Sequence, residues 1–409
     1  MPWRFILSLA TLLLAATGGS AVAQAPGYAA PGWTPSYGPQ GLPYDCPPGM
    51  APGAPQQVGE QGGWLYDDDS RVDMILRETV RHSWFRLEYL NWEIQRPGNK
   101  LLGAPLATQD ARDGFPAIDP GNIPRIGVEA FVPDLGDVQL NNLNGIRGTV
   151  GIPTLLGVFE ADAWALGQAA DSTRIRPAIN FQTGATIIPA ISLESVGLPS
   201  DSTMVLFDTD YRHEWRSNLF GAQANFVFNP VTPEQGASLR PLLGIRYVRF
   251  DEELQIRGID SETGTNPRIR SEANNNLVGP QFGLRGQLDS KWISLGIEPK
   301  IMLGINRHED SVAAEQILDP TNSARSHDNA TDFAPVFDLS AYGKLHLSRN
   351  FSLFAGYELL VLTNVTRPGS QIDYNAPLVV TDPPLIRLTK DRESVVVHGM
   401  MVGGELRFR

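Results

Sequence analysis

Apolar and polar residues alternate almost without interruption along residues 292–306, WISLGIEPKIMLGIN. The odd-numbered positions from Ile293 to Ile305 are apolar, whereas the even-numbered positions carry Glu298 and Lys300 and, apart from Met302, small or polar residues. Successive side chains of an extended chain point to opposite faces, so the pattern predicts a β-strand with one apolar face. That face could be buried in a soluble sandwich or exposed to lipid in a membrane barrel.

The same alternation recurs from Trp84 onward and predicts ten strands, separated by segments rich in glycine and asparagine. The predicted strands are residues 84–92, 145–152, 155–168, 215–228, 239–257, 276–289, 292–306, 335–347, 351–363 and 394–408.

The connections between these strands alternate between long and short. The short ones are residues 153–154, 229–238, 290–291 and 348–350. Outer-membrane barrels have short periplasmic turns and long external loops, whereas a Greek-key sandwich has no reason to sort its loops in this way. The sequence therefore predicts an all-β fold, an antiparallel up-and-down transmembrane β-barrel of about ten strands. Twelve strands would result if residues 125–132 or 203–211 joined the sheet.

Polar residues on the second face of the strands predict a charged lumen. We expect these residues to face it: Arg86, Glu88, Arg246, Gln281, Arg285, Glu298, Lys300, Asp338, Lys344, Glu405 and Arg407.

Strand registers extend this prediction to ion pairs. A two-residue turn at Ser290 and Lys291 would place Gly283 opposite Glu298, with Arg285 diagonal to Glu298 and within reach of it. Where the first and last strands meet to close the barrel, Arg86 and Glu88 are expected to contact Glu405 and Arg407. The alternative is a set of independent, solvated lumen charges.

Aromatic residues near the predicted periplasmic strand ends are candidates for a membrane-interface girdle. They are Phe85, Phe228, Phe351 and Phe408. The alternative is the ordinary enrichment of aromatic residues in strands.

The region before the strands divides into three parts. Residues 1–23 combine Arg4, an apolar run and the cleavage motif at Ala21 and Ala23, which predicts a signal peptide cut before Gln24. The apolar run is shorter than the ~20 residues of a membrane-spanning helix. Residues 24–69 are rich in proline and glycine, and we expect a disordered periplasmic segment that acts as a tether or contacts the cell wall. Residues 70–82 are predicted to form a short helix or linker, and residues 83–409 the barrel.

Net charge, hydropathy and cysteine content restrict the classes of partner and environment that fit this chain. The net charge is −12 and no basic cluster is present, which argues against nucleic acid. The mean hydropathy of −0.16 suits a barrel, whose loops and lumen are polar. The single cysteine, Cys46, excludes an intrachain disulfide. Expected partners are outer-membrane lipid, the barrel-assembly machinery and, through the Pro/Gly-rich segment, the cell wall.

Histidines beside acidic residues are the only candidates for chemistry. His213, His308 and His327 are followed by Glu214, Glu309-Asp310 and Asp328 in predicted external loops. Some barrel enzymes place such pairs there, so a surface hydrolase is an alternative function. No nucleophile or metal-binding motif accompanies the histidines. We therefore expect no enzyme, no metal and no cofactor.

Short motifs in the strands add a resemblance. They are W-x-R-x-E-Y-L-x-W from Trp84 to Trp92, G-x-R-x-x-x-G from Gly145 to Gly151, and G-x-R-Y from Gly244 to Tyr247 with the acidic residues Asp251 to Glu253 behind it. Together they resemble the planctomycete putative outer-membrane β-barrel porin family. Two features depart from its pattern: residues 152–153 lack the expected tryptophan, and the chain ends Phe408-Arg409 rather than on the aromatic residue.

The resemblance implies a barrel in the outer membrane of a Gram-negative-type cell envelope more firmly than it implies transport. The expected function is a porin or passive small-solute channel, with a structural envelope barrel as an alternative. Open aqueous channels have ~16 strands, and a ten-stranded lumen is narrow enough for side chains to fill. A soluble cell-surface β-sandwich is the other fold class.

Overall fold

A computed structural model describes residues 81–104, 115–119, 123–141, 143–193, 203–232, 236–374 and 386–408. The predicted signal peptide and Pro/Gly-rich segment lie outside these residues, and so does the predicted helix or linker at 70–82 apart from Arg81 and His82.

The described residues form twenty strands and one short 3₁₀ helix, Pro368–Ser370. The strands are β1 (Trp84–Ile94), β2 (Phe115–Asp119), β3 (Ile123–Phe131), β4 (Leu143–Thr154), β5 (Gly157–Leu166), β6 (Ala169–Ile175), β7 (Ala178–Ile179), β8 (Thr186–Leu193), β9 (Thr203–Leu206), β10 (Asp210–Phe228), β11 (Ala237–Ile259), β12 (Arg268–Asp289), β13 (Ile293–Met302), β14 (Ile305–Glu315), β15 (Ser323–Phe333), β16 (Val336–His346), β17 (Phe351–Val365), β18 (Ile372–Asp373), β19 (Arg387–Leu388) and β20 (Glu393–Arg407).

Ten antiparallel strands close into a barrel in the order β1-β4-β5-β10-β11-β12-β13-β16-β17-β20, and β20 pairs again with β1. Three further strands prolong the wall at the long-loop end. β6 pairs with β10 beyond β5, and β14 pairs with β12 beyond β13. β15 pairs with β14 beyond β16. The predicted ten-stranded antiparallel barrel is confirmed.

The twelve-stranded alternative is wrong. Residues 125–132 lie mostly in β3, and residues 203–206 form β9, and both strands belong to a separate five-stranded sheet. In that sheet β3 comes from the loop between β1 and β4, and it pairs in parallel with β8 from the loop between β6 and β10. Buried side chains of both loops hold it together: Ala130, Val132, Ile188, Ala190, Met204 and Leu206.

The outer wall of the barrel carries an apolar belt. On β13, Ile297 is 51% exposed, whereas the neighbouring Glu298 is 6% exposed and faces the lumen. The belt runs along this wall from Ile293 to Ile305. At a rise of ~3.3 Å per residue and a tilt of ~40°, thirteen residues cover roughly 30 Å along the membrane normal, which is the thickness of a bilayer's hydrocarbon core.

Above the belt the polarity of the two faces inverts. On β12, Val278 and Phe282 point outward, but seven residues further up the strand Ser271 and Ala273 are buried inside and Arg270 and Glu272 face outward. Water surrounds this part of the wall, so its outer face is polar and its inner face largely apolar. The sequence prediction missed β14 and β15 for this reason, since it required apolar residues on the outward face.

The register between β12 and β13 differs from the prediction by two residues. Gly283 pairs with Lys300 rather than with Glu298, and Asp289 pairs with Ser294. The turn is therefore longer than Ser290 and Lys291 alone. A shift of two residues leaves every side chain on its predicted face, because the side-chain repeat of a strand is two.

The apolar belt generates a first prediction. Replacing Ile297 by arginine places a charge near the middle of the belt and should destabilise the barrel by about 2–4 kcal/mol, whereas Asn218→Arg, on the outer wall above the belt and opposite Asp251, should cost about 0–1 kcal/mol. Equilibrium unfolding in urea, with the protein reconstituted in lipid vesicles, measures both. Equal losses of stability would contradict the placement of the belt.

Candidate functional site in the barrel lumen

Charged side chains fill the lumen at the level of the apolar belt. We call these fourteen residues the lumen network; seven are cationic and seven are acidic. They are Arg86, Arg147, Arg246, Arg285, Lys300, Lys344 and Arg407 with Glu88, Glu160, Asp162, Glu298, Asp338, Glu358 and Glu405. Matching of the two charges is what a low-dielectric interior requires, because an unpaired buried charge is very costly.

One part of the network follows the closure of the barrel. Glu405 accepts from Lys344 at 2.8 Å and from Arg407 at 3.0 Å, and its carboxylate lies 3.8 Å from Arg86. Arg86 also pairs with Glu88 at 2.7 Å. The predicted contact of Arg86 with Glu405 is thus present, and the two residues are direct partners in the β1–β20 register. Glu88 lies opposite Gly403 and contacts Arg86 and Arg147 rather than Arg407.

Arg147 of β4 continues this part across the lumen. Its guanidinium pairs with Glu358 at 2.6 Å and lies 3.6 Å from Glu88 and 5.4 Å from the centre of the Trp92 ring. Three barrel strands, β1, β4 and β17, are therefore joined through one buried side chain.

The other part of the network crosses from β5 to β16. Arg285 forms a bidentate pair with Glu160, at 2.7 and 2.6 Å, and a second pair with Glu298. The Arg285–Glu298 pair predicted from the sequence is therefore present. Lys300 lies 3.2 Å from Glu298 and 3.1 Å from Asp338, so it links the two carboxylates.

Arg246 closes this second part. It pairs with Asp338 and donates to the side-chain oxygen of Gln223 at 2.7 Å, and Gln223 in turn donates to Asp162 at 2.7 Å. Gln281 donates to the same Gln223 oxygen at 2.9 Å. The amide of Gln223 thus connects β10, which no ion pair of the network reaches, to β5, β11 and β12.

Aromatic rings pack over glycines on the lumen side of the wall. Trp84 of β1 lies opposite Gly151 of β4, and its ring occupies the place where a Cβ of residue 151 would be. Tyr342 covers Gly296 in the same way between β16 and β13. Any larger residue at Gly151 or Gly296 would displace a ring, so these two glycines give the network its space.

Of the eleven residues predicted to face the lumen, ten are wholly or largely buried there. Nine of these ten belong to the network, and the tenth, Gln281, is joined to it by hydrogen bonds. The eleventh, Arg407, belongs to the network but lies at the strand end, where its side chain is 49% exposed. The prediction missed Arg147, Glu160, Asp162 and Glu358 as lumen residues. The alternation on β4, β5 and β17 places all four on the lumen face, so the signal was present in the sequence.

The four predicted girdle aromatics lie at or next to strand ends on the short-turn side. Phe85 and Phe351 both pair with Leu406, and Phe228 ends β10. The backbone N–H of Phe408 donates to the carbonyl of Ser83. Phe85, Phe228 and Phe408 are exposed on the outer surface, as contact with the lipid–water boundary would require.

The lumen above the network is filled by an apolar core and by an inward-folded loop. Trp92 and Trp164 pack with ring centres 5.0 Å apart, and Trp215 and Phe250 are fully buried beside them. The chain turns into the barrel at the end of β17, where the pairing with β20 shifts register between Leu362 and Val365. Asn364 there has a φ of 51°, in the left-handed region that asparagine tolerates.

Arg367 fastens this loop to the wall. Its guanidinium makes two bonds with Glu252 of β11, at 2.7 and 2.8 Å, and donates to the carbonyl of Gln95 at 3.1 Å. The Trp215 indole N–H donates to the same carboxylate at 3.1 Å. We call residues 366–374 the plug loop. Its position could not be predicted, because residues 364–393 show no strand periodicity.

The histidine–acid pairs lie in strands and not in external loops, contrary to the prediction. His213 is in β10, His308 in β14 and His327 in β15. Neighbours along a strand face opposite sides, so His213 points inward and Glu214 outward. His308 is fully buried; its Nδ1 lies 2.6 Å from Asp310 and its Nε2 2.9 Å from the guanidinium of Arg392.

Within the described ranges, no helix has the length and apolar character needed to span a bilayer. No group of three or more His, Cys, Asp or Glu side chains there is arranged to hold a metal ion.

Two cavities remain in the lower lumen. One of about 40 Å³ lies within the network, between Arg147, Asn225 and Tyr342. The other, of about 300 Å³, lies at the short-turn end and is lined by Arg240, Ser294 and His346 among others. We call the second cavity the vestibule.

A closed barrel with an apolar belt about as thick as a bilayer defines an outer-membrane β-barrel protein. The sequence pattern of the Putative beta barrel porin-7 family matches residues 84–408, so the chain belongs to this family. No curated protein sequence matches it.

Comparison with solved structures finds similar chains at low sequence identity and low TM-score. The outer membrane protease OmpT from Escherichia coli is 13% identical, with a TM-score of 0.43, over 81% of this chain and 98% of that one. A FadL homologue from Pseudomonas aeruginosa is 8% identical, with a TM-score of 0.20, over 80% and 90%. The Pseudomonas putida toluene transporter TodX is also 8% identical, with a TM-score of 0.16, over 80% and 90%.

The buried Arg367–Glu252 pair generates a second prediction. Glu252→Gln leaves the Arg367 guanidinium buried without its counter-charge and should destabilise the protein by about 3–5 kcal/mol. Glu214→Gln breaks an ion pair with the half-exposed Arg216 and should cost about 0–1 kcal/mol. Urea unfolding in vesicles compares them, and a loss below 1 kcal/mol for Glu252→Gln would show that the plug loop does not depend on this pair.

His213 generates a third prediction, which concerns pH. It lies above the belt, and burial lowers the pKa of its imidazole, although Asp137, Asp171 and Asp134 act in the opposite direction. Below the unfolded pKa of ~6.5 the unfolded chain binds a proton that the folded protein refuses, so stability falls as pH decreases, by up to about 1.4 kcal/mol per pH unit.

The His213→Gln variant should lose this component of the pH dependence between pH 7 and the lowered folded pKa. Its control is His327→Gln, at an exposed histidine of β15. Unfolding free energies measured against pH should give a smaller slope for His213→Gln than for the control. Parallel slopes for the two variants would refute a buried, neutral His213.

Proposed function

We propose that this protein is a sealed structural barrel of the outer membrane, which stabilises the cell envelope without conducting solutes at rest. The observation that carries the proposal is the filling of the lumen at two levels. The lumen network occupies the level of the belt, and the apolar core with the plug loop occupies the level above. The cavity of about 40 Å³ within the network has room for no more than a few water molecules.

A passive small-solute channel is the second candidate, and the family's description as a porin favours it. In that case the plug loop would have to leave the barrel, because Arg367 and the apolar core occupy the lumen above the network. Arg367 is buried with two bonds to Glu252, so the opening would carry the cost of exposing or separating a buried ion pair.

A surface hydrolase is less well supported, and we propose that the protein is not an enzyme. His308 is fully buried, with one ring nitrogen facing Asp310 and the other facing Arg392. No serine, threonine or cysteine side chain of the described residues donates to it. An imidazole in this position is not available to take a proton from an external substrate.

The proposal includes the expectations for the rest of the molecule. Cleavage before Gln24 would release the chain into the periplasm, the barrel-assembly machinery would insert it, and the Pro/Gly-rich segment would tether it to the cell wall. The planctomycete origin suggested by the motifs is part of the same hypothesis.

The fourth prediction is that the protein does not conduct ions, and conductance measurements in planar bilayers test it. The purified full chain should insert and give a flat trace, with insertion verified by heat-modifiable gel mobility of the reconstituted sample. An open porin in the same bilayer shows that the assay detects channels. Steps of reproducible size would overturn the sealed barrel and support a channel.

Lys300→Gln separates the two functions further. In a channel, removal of a positive charge from the lumen changes ion selectivity, and the reversal potential in a salt gradient shifts. In a sealed barrel the same variant loses stability and remains silent. The matched control is Arg249→Gln, which removes a charge from the outer wall of β11.

A further inference from the structure

The vestibule contains two arginines that face each other. Arg240 of β11 and Arg285 of β12 are direct partners in the β11–β12 register, and both line the cavity of about 300 Å³. Like charges directly opposite on neighbouring strands are destabilising. Anions that neutralise both side chains would relieve this repulsion.

Arg285 is neutralised within the protein, but Arg240 is not. Arg285 holds both oxygens of Glu160 and also pairs with Glu298. No carboxylate of the described residues forms an ion pair with Arg240, and its Nε is buried without a hydrogen-bond partner. An arginine of this kind is prepared to bind an anion from outside the protein.

The other carboxylates of the vestibule have their own partners. Asp289 interacts electrostatically with Arg240 but forms no ion pair with it. The carboxylate of Asp289 accepts a hydrogen bond from the side-chain amide of Gln287 at 2.6 Å. Glu405 is occupied by Lys344 and Arg407. The counter-charge for Arg240 is therefore missing from the described residues.

Further donors line the same cavity. Ser294 of β13 supplies a hydroxyl, which lies 2.9 Å from the imidazole of His346, and the other ring nitrogen of His346 lies 2.9 Å from Ser352. Lys344 of β16 adds an ammonium group. A planar carboxylate is satisfied by a single guanidinium, whereas a tetrahedral oxyanion has oxygens for donors on several strands. The cavity has room for such an ion together with water molecules.

We propose that the vestibule is a binding site for a small tetrahedral oxyanion of the phosphate class, with Arg240 as its principal ligand. In outer-membrane barrels the short turns face the periplasm, so the site is open to periplasmic solutes. Binding there requires no passage through the barrel and is independent of the proposed sealed state.

Calorimetric titration of the full chain in detergent micelles tests the site, with inorganic phosphate as the probe and chloride and acetate at the same ionic strength as comparisons. Phosphate should bind saturably, and Arg240→Gln should weaken it about tenfold or more, because a charge-assisted bidentate contact is lost. The control is Arg249→Gln, on the same strand but facing outward, which should bind phosphate like the wild type.

Urea unfolding without phosphate provides a second readout. The Arg240→Gln variant should be at least as stable as the wild type, because the repulsion from Arg285 is relieved, and this result also shows that the variant folds. Equal phosphate affinity of Arg240→Gln and wild type would overturn the proposal. So would an equal response to chloride, which indicates screening alone, or to acetate, which contradicts a tetrahedral ligand.

Discussion

The change of surroundings along the barrel axis is the constraint on which the structure depends. Lipid offers no hydrogen-bond partners, so the wall must be apolar outside and its sheet must close on itself. Above the membrane the surroundings are water, and the requirement reverses. The inversion on β12, from an outward Val278 and Phe282 to an inward Ser271 and Ala273, is the direct response to this boundary.

Closure with ten strands then dictates how the lumen is filled. A barrel of this size encloses a space that side chains can occupy, and the residues facing it within the belt are largely polar. Polar groups excluded from water need partners. The lumen network satisfies this need by linking Arg147, Arg285 and Lys300 to two or more carboxylates each.

Packing and ion pairs at the closure of the barrel explain the short sequence motifs of β1 and β4. Trp84 and Gly151 are the ring and the space that receives it, and Glu88 lies between Arg86 and Arg147. Residues far apart in the sequence thus form one packing unit at the closure of the barrel.

The sequence was sufficient to predict the barrel, its strand number and the lumen face of its strands. The strand number and the lumen face follow from the two-residue repeat within the belt, and the barrel follows from the alternation of long and short connections. The register of Lys300 against Gly283 could not be predicted, because the length of a turn is not encoded in the alternation. Nor could the plug loop, whose Arg367 meets Glu252 across 115 residues of sequence. The periodicity also missed β14, where water replaces lipid and the apolar residues change sides.

The parallel pairing of β3 with β8 has a consequence for how the exposed end is assembled. One strand comes from the loop after β1 and the other from the loop after β6, and each supplies part of a shared apolar cluster. Neither loop can bury its hydrophobic residues alone. The β3–β8 pairing therefore requires that the strands between the two loops have already brought both of them to the same side of the wall.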